Sequence, residues 1–181
     1  MTADLDLLRR LHIEPLDRSK HDRAAFSCGE PRVDTFLKQH AARQQDSDFS
    51  RVFVACLDSG AEIAGFYAMN AHAIDATTLP EDARRRLPRY PHVPAIYLSV
   101  LGVSIAHQGR GIGSWLLADA FRRAASIADS VGAHFLVLDA LSENAARLYR
   151  RQGFVDLPGH EPRMLIRMGV IRAAMERAEG R

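Results

Sequence analysis

The chain has 181 residues, 47% of them hydrophobic and 25% charged, with two cysteines and a formal net charge of +2. That length and balance fit one globular domain over residues 1–181 and exclude a disordered or disulfide-stapled chain. No run approaches eighteen apolar residues, so no membrane span is expected. The first ten residues carry Asp4, Asp6, Arg9 and Arg10 without the apolar core of a signal peptide, and a cytoplasmic location is expected. Cys56 lies inside an apolar run and reads as a buried thiol rather than as a disulfide partner of Cys28.

The charge is unevenly spread. Of 24 basic residues only Lys20 and Lys38 are lysine. From Ala83 through Ala118 there is no acidic residue, while Arg84, Arg85, Arg86, Arg89 and Arg110 fall there. A second group is Arg147, Arg150 and Arg151, and a third is Arg163, Arg167, Arg172 and Arg177. Arginine suits bidentate phosphate contacts, although arginine-rich codon usage and solvated helix faces give the same pattern.

In chain order, Leu11 and Ile13 alternate with polar residues as a short strand ended by Pro15. Pro31 reads as a first-turn proline, and Val33, Phe36, Leu37, His40, Ala41 and Gln44 follow at helical spacing to about Asp46. His40, among core-like neighbours, is expected to be packed. Val52–Leu57 and Ile63–Ala71 read as a hairpin around Asp58-Ser59-Gly60. A connector follows with a short helix, Pro80 to Leu87, and Pro88, Pro91 and Pro94 stiffen its exit. Ala95–Val103 is a strand, and a helix then runs to about Ser130. Its core side holds Leu116, Leu117, Ala120, Phe121, Ala124, Ile127 and Ala128, and Trp115, Asp119, Arg122 and Ser126 lie opposite. Phe135–Leu138 is a buried strand cut by Asp139-Ala140. Ser142 caps a helix that Gly153 ends, strands at Phe154-Val155 and Met164–Ile166 follow, and Val170–Ala178 is a terminal helix. The order is mixed α/β.

Between the Ala95 strand and its helix lies Gln108-x-x-Gly111-x-Gly113, with Gly109 completing three glycines in five residues. Such a loop can approach a ligand closely, and a helix starting from it aims free N–H groups and a positive dipole end at a phosphate or pyrophosphate. The lysine and spacing of a Walker loop are absent, and the glycines do not follow a dinucleotide fingerprint. A glycine-rich turn with no ligand is the alternative at this point.

The Gln-x-x-Gly-x-Gly form, the strand Phe135–Asp139, and the helix with Asn144 and Tyr149 ending at Gly153-Phe154 together resemble the GCN5-related N-acetyltransferases, or GNAT family, over about residues 95–157. The resemblance implies a mostly antiparallel mixed sheet with splayed central strands flanked by helices, and acetyl-CoA as cosubstrate with no metal. It implies that backbone groups of Leu101, Gly102 and Val103 pair with the pantetheine. Backbone N–H groups of Gln108, Gly109, Arg110, Gly111, Ile112, Gly113 and Ser114 would hold the pyrophosphate, Asn144 would touch the pantetheine arm, and Tyr149 would be the general acid. Many members carry a glutamate on the central strand, whereas Tyr97–Ser104 here holds no carboxylate. An α-amine near pKa 7.8 is roughly a quarter neutral at pH 7.4 and a lysine amine about 0.1% neutral, so a site without a base favours the weaker amine.

Phe26-Ser27-Cys28-Gly29, Val33-Asp34-Thr35-Phe36-Leu37, Gly65-Phe66-Tyr67, Leu87-Pro88-Arg89-Tyr90-Pro91 and Val137-Leu138-Asp139-Ala140 are similar to the acetyltransferase toxins of bacterial toxin–antitoxin modules, over about residues 11–168. The resemblance implies acetylation of the amino acid on charged tRNA, a homodimer, and a small ribbon-helix-helix antitoxin. Arg84, Arg85, Arg86, Arg89, Arg147, Arg150 and Arg151 would contact the tRNA. Ser99-Val100 stands where that branch usually has Gly-Arg. Two other readings stay open: an acetyltransferase for a small amine or protein N-terminus, and a non-catalytic CoA-binding regulatory subunit.

Overall fold

The computed structural model describes residues 4–58 and 60–180, the side chain of Glu179 excepted; Ser59 of the expected hairpin turn lies outside the described residues. Helix α1 (Leu5–Arg10), not anticipated, is too short to show periodicity, and is capped by Asp4, whose carboxylate accepts the Leu7 N–H at 3.0 Å. Strand β1 (Leu11–Pro15) follows. The helix expected over 31–46 is present in three parts: α2 (Pro31–Thr35), a π-helical turn Phe36–His40, and α3 (Ala41–Asp46). The π turn takes in an extra residue and shifts the phase of everything after it. His40 is therefore exposed, contrary to the packed position its spacing implies, and Ala41 and Ala42 are buried instead.

The remaining elements are β2 (Arg51–Leu57), β3 (Ile63–Asp75), α4 (Glu81–Arg84), β4 (His92–Val103), α5 (Ile112–Val131), β5 (Phe135–Asp139), α6 (Glu143–Arg151), β6 (Val155–Asp156), β7 (Arg163–Arg167) and α7 (Met168–Glu179). The strands are hydrogen-bonded in the order β1-β2-β3-β4-β5-β7-β6, antiparallel at β1/β2, β2/β3, β5/β7 and β6/β7 and parallel at β4/β5. Helix α4 is shorter than the expected Pro80–Leu87 because Pro88 disfavours helical backbone at Leu87 before it. No described helix is long and apolar enough to cross a membrane.

The chain packs as two compact units that share β3, β4 and α5. One runs to Asn70 and takes up Leu98–Ala120; the other holds Ala71–Tyr97 and everything from Phe121 on. The core of the first gathers Val33, Leu37, Val52, Val54 and Phe66, with Phe26 edge-on to Phe66 at 5.2 Å and Phe36 stacked on it at 6.2 Å. Val100 packs against this cluster, an apolar role for that position. Gly102 is required there by space: a Cβ would meet Val33 Cγ1 at 2.7 Å and Phe66 Cε1 at 3.1 Å. The core of the second gathers Ile74, Leu79, Val93, Ala95, Phe135, Val137 and Leu165.

On α5 the buried stripe drifts round the helix. Asp119, expected on the outer face, is buried and accepts a hydrogen bond from the Tyr67 hydroxyl at 2.5 Å. Ile127, expected inside, is 42% exposed, while Ala124, Ala125 and Ala128 are buried. Both cysteines are free thiols, Cys56 buried and Cys28 half-buried.

Candidate functional site

In the first unit the glycine loop is held from three sides. The β4/β5 register ends at Tyr97–Val137, and β4 runs on through Leu98–Val103 without a further β5 partner in that register. After Val103 the Ser104 N–H donates to the Ala64 carbonyl and the Ile105 N–H to the Ser27 carbonyl, both at 2.9 Å, and Ile105–His107 forms a 3-10 turn. The Gln108 side-chain amide then donates to the carbonyls of Cys28 at 2.8 Å and Val103 at 3.0 Å. Arg110 forms an ion pair with Asp4 at 2.6 Å, and its carbonyl accepts the Asp4 N–H at 3.1 Å. That contact ties the cap of α1 to the loop; the Leu7 N–H first, and Arg110 after it, lower the Asp4 pKa.

Gly109 and Gly111 have φ of 76° and 92°, backbone that side chains rarely adopt. Among the described residues, the N–H groups of Gly109, Arg110, Gly111, Ile112, Gly113 and Ser114 have no hydrogen-bond acceptor; the first internal bond after them is from the Trp115 N–H to the Gly111 carbonyl at 3.1 Å. Six consecutive donors, free among the described residues, at the positive end of a 20-residue helix fit a pyrophosphate. The Ile112 side chain is buried, which fixes the helix start from below.

In the second unit Tyr149 sits on α6, which begins at the Ser142 cap, its hydroxyl oxygen accepting the Ala145 N–H at 3.2 Å, and ends before Gly153 at φ 97°. The Tyr149 ring lies edge-on to Phe154 at 5.7 Å, and Phe154 faces Phe121 at 5.9 Å. Its hydroxyl has no hydrogen-bond partner among the described residues, and burial pushes its pKa up to about 12. The phenol is protonated throughout the physiological range. Complete proton transfer to a thiolate whose conjugate acid is near 8.5 would be uphill by roughly 5 kcal/mol, against roughly 2 for an ordinary phenol. A phenol in this state can donate a hydrogen bond, and would release its proton only in concert with bond breaking.

Asn144 is exposed, and its side-chain oxygen accepts from Arg147. Arg150 is engaged by Glu143 at 2.9 Å and Asp156 at 3.0 Å. Arg85 pairs with Glu81 at 2.5 Å. Arg84, Arg86, Arg89 and Arg151 are exposed, with no ion pair among the described residues.

One cluster in the second unit went unread. The Tyr97 hydroxyl donates to Asp139 at 2.8 Å, Arg163 grips the same carboxylate with two bonds at 2.8 and 3.0 Å, and His72 lies 5.2 Å from the Tyr97 ring. Burial, then Arg163, lowers the His72 pKa, which favours neutral imidazole. The available signal was Asp139 itself, a carboxylate closing an apolar strand. In the first unit Glu14, His21 and Cys56 bring potential ligand atoms within 4.8 Å of one another, but His21 already uses both nitrogens, on the Asp17 N–H and on Glu14.

The loop suits a pyrophosphate-bearing cosubstrate, and comparison names the class. Residues 48–156 match the family model described as an acetyltransferase (GNAT) domain. The chain belongs to the GNAT family of acetyltransferases. It is 41% identical over 170 residues to a probable toxin TacT from Sinorhizobium fredii, covering 90% of this chain and 94% of that one. It is 36% identical over 152 residues to a tRNA-acetylating toxin from Mycobacterium tuberculosis, covering 84% and 89%. Among solved structures, AtaT complexed with acetyl-methionyl-tRNAfMet superposes with a TM-score of 0.83 at 28% identity, covering 91% of this chain and 99% of that one. AtaTR bound with AcCoA gives 0.81 at 28%, covering 92% and 99%. A variant of AtaT bound to the C-terminus of the antitoxin AtaR gives 0.78 at 26%, covering 91% and 98%.

Proposed function

We propose that this acetyltransferase is the toxin of a toxin–antitoxin pair and transfers acetyl from acetyl-CoA to the α-amine of aminoacyl-tRNA, blocking translation. The observation that carries the reading is the row of six N–H groups, unpartnered among the described residues, in the glycine loop and first turn of α5, in a chain whose relatives include a tRNA-acetylating toxin. The N–H groups from Gly109 to Ser114, with Gln108 bracing the loop, hold the pyrophosphate. The backbone of Leu101, Gly102 and Val103 and the Asn144 side chain hold the pantetheine. The neutral substrate amine attacks the thioester carbonyl and forms the C–N bond, losing its extra proton to solvent; the C–S bond breaks, and Tyr149 donates its hydrogen bond and then its proton to the leaving sulfur, to be reprotonated from solvent. The absence of a carboxylate on Tyr97–Ser104 matches an amine that needs little help to lose its proton.

Arg84, Arg86, Arg89 and Arg151, free of carboxylate partners among the described residues, contact tRNA phosphates; Arg85, Arg147 and Arg150 join them by exchanging their present partners. The whole chain works as one acetyltransferase domain, as a homodimer in the cytoplasm, and a small ribbon-helix-helix antitoxin neutralises it. Induced expression in a bacterial host tests this. Growth should arrest with the wild type and continue with Tyr149→Phe, and acetylated aminoacyl-tRNA should accumulate only in the arrested cells. Arrest without such tRNA would favour a small amine or protein N-terminus as the acceptor.

A further inference from the structure

The turn between α4 and β4 carries the most exposed large aromatic of its unit. Tyr90 is 70% exposed. It is not there through floppiness. Pro88 and Pro91 flank it, its N–H donates to the Pro88 carbonyl at 2.8 Å, and the Pro91 carbonyl accepts the Ala76 N–H at 2.9 Å. This turn lines a cleft of about 440 Å³ together with Ala76, Thr77, Arg84, Arg85 and Arg89. That volume falls in the ~300–1,000 Å³ range of small-ligand sites. An aromatic held out to solvent gains nothing from folding. Arg84, Arg85 and Arg89 line the same cleft, Arg85 held by Glu81 and Arg84 and Arg89 without an ion pair among the described residues, so the cleft has the composition of a platform for an unpaired base, with the arginines on the flanking phosphates.

We infer that the Arg84–Pro91 cleft binds single-stranded RNA, Tyr90 stacking on one unpaired base. The inference rests on the tRNA reading above and adds to it: the acceptor's single-stranded 3′ end is the part recognised here, by stacking that tolerates any base. The prolines restrict the backbone beside Tyr90, so less backbone ordering entropy is lost on binding.

The test compares wild type, Tyr90→Ala and Tyr90→Phe, each at a surface position that leaves the fold intact. Two quantities are measured: the affinity for a labelled single-stranded CCA-ended oligoribonucleotide, and the KM for charged tRNA. Tyr90→Ala should weaken both by roughly fivefold or more, given the usual worth of one base–aromatic stack. Tyr90→Phe should retain both, since stacking needs the ring and not the hydroxyl. Acetylation of a free amino-acid ester should be equal in all three. Unchanged oligonucleotide affinity and KM in Tyr90→Ala would overturn the inference while leaving tRNA acetylation standing. A change confined to the sedimentation behaviour of Tyr90→Ala would overturn it in favour of a protein interface. Wild-type protein that acetylates the ester but never charged tRNA would instead remove the tRNA reading.

Discussion

The Tyr97 hydroxyl donates to the Asp139 carboxylate at 2.8 Å, where Arg163 binds the same group with two further bonds. Three polar side chains thereby close one another's valences at the last paired position of β4 and β5, with Asp139 two residues beyond Val137, the register partner of Tyr97. Arg163 first, and Tyr97 after it, hold the Asp139 carboxyl below the usual carboxylate range.

Asp139→Asn should therefore destabilise the protein at neutral pH by about 1–3 kcal/mol, the worth of hydrogen bonds to a charged group that then leave Arg163 half-buried without its anion. The sign with pH is set by a folded pKa below the unfolded value near 3.9. The contribution is complete above about pH 4 and is lost as pH falls through the folded value. Thermal melts of wild type and variant should differ at pH 7 and converge below pH 4. Parallel curves at every pH would separate the effect from ionisation.

Gly111 and Gly113 do different work. Gly111, at φ 92°, strains any side chain, so Gly111→Ala should already cost about 1 kcal/mol of stability. Gly113 lies inside α5, so Gly113→Ala should fold normally, and Gly113→Asp should add mainly a negative charge. Calorimetry should find CoA binding weakened strongly by Gly113→Asp, with its melting temperature little changed. Full CoA affinity in that variant would remove the pyrophosphate from this loop.

Gly102→Ala should be among the most destabilising of alanine substitutions, by about 1–3 kcal/mol, because its Cβ would meet Val33 at 2.7 Å. Pairing it with Val33→Ala should recover part of the loss. Denaturant melts of the two single variants and the double variant measure that coupling.

Much of this was legible in sequence because the signals are local. The β2/β3 hairpin, the Ser142 cap and the Gly153 stop each follow from residues within one turn of the place they act. What escaped depends on partners far along the chain. A π turn at Phe36–His40 moved His40 out to solvent, and no spacing rule marks where an extra residue enters a helix. Asp119 looked like a surface residue until Tyr67, 52 positions away, supplied its buried partner. At the site, glycine spacing located the loop, but not the Asp4–Arg110 pair that holds it, since Asp4 is 106 residues away. The arginines were legible as a group and not one by one. Only the fold distinguishes Arg150, held by Glu143 and Asp156, from Arg89, which has no ion pair among the described residues.

Tyr149→Phe should leave stability and CoA affinity close to wild type, because the hydroxyl has no partner to lose among the described residues, and lower kcat by ~10²-fold. With the phenol pKa at about 12, the wild-type rate should show no alkaline limb from Tyr149 up to pH 10. Stopped-time assays across pH 6–10 check both points; wild-type turnover in the Phe variant would take Tyr149 out of the mechanism.

The most direct measurement offers the protein labelled acetyl-CoA together with charged or deacylated tRNA, at several salt concentrations. The predicted result is label on charged tRNA alone, alkali-labile with the aminoacyl ester, at a rate that falls with salt as phosphate contacts are screened. Replacing Arg84, Arg86 and Arg89 together by alanine should raise the KM for tRNA and leave CoA affinity intact. Equal labelling of both tRNAs, or none on either beside brisk acetylation of a free polyamine or peptide, would contradict the assignment of aminoacyl-tRNA as the acceptor.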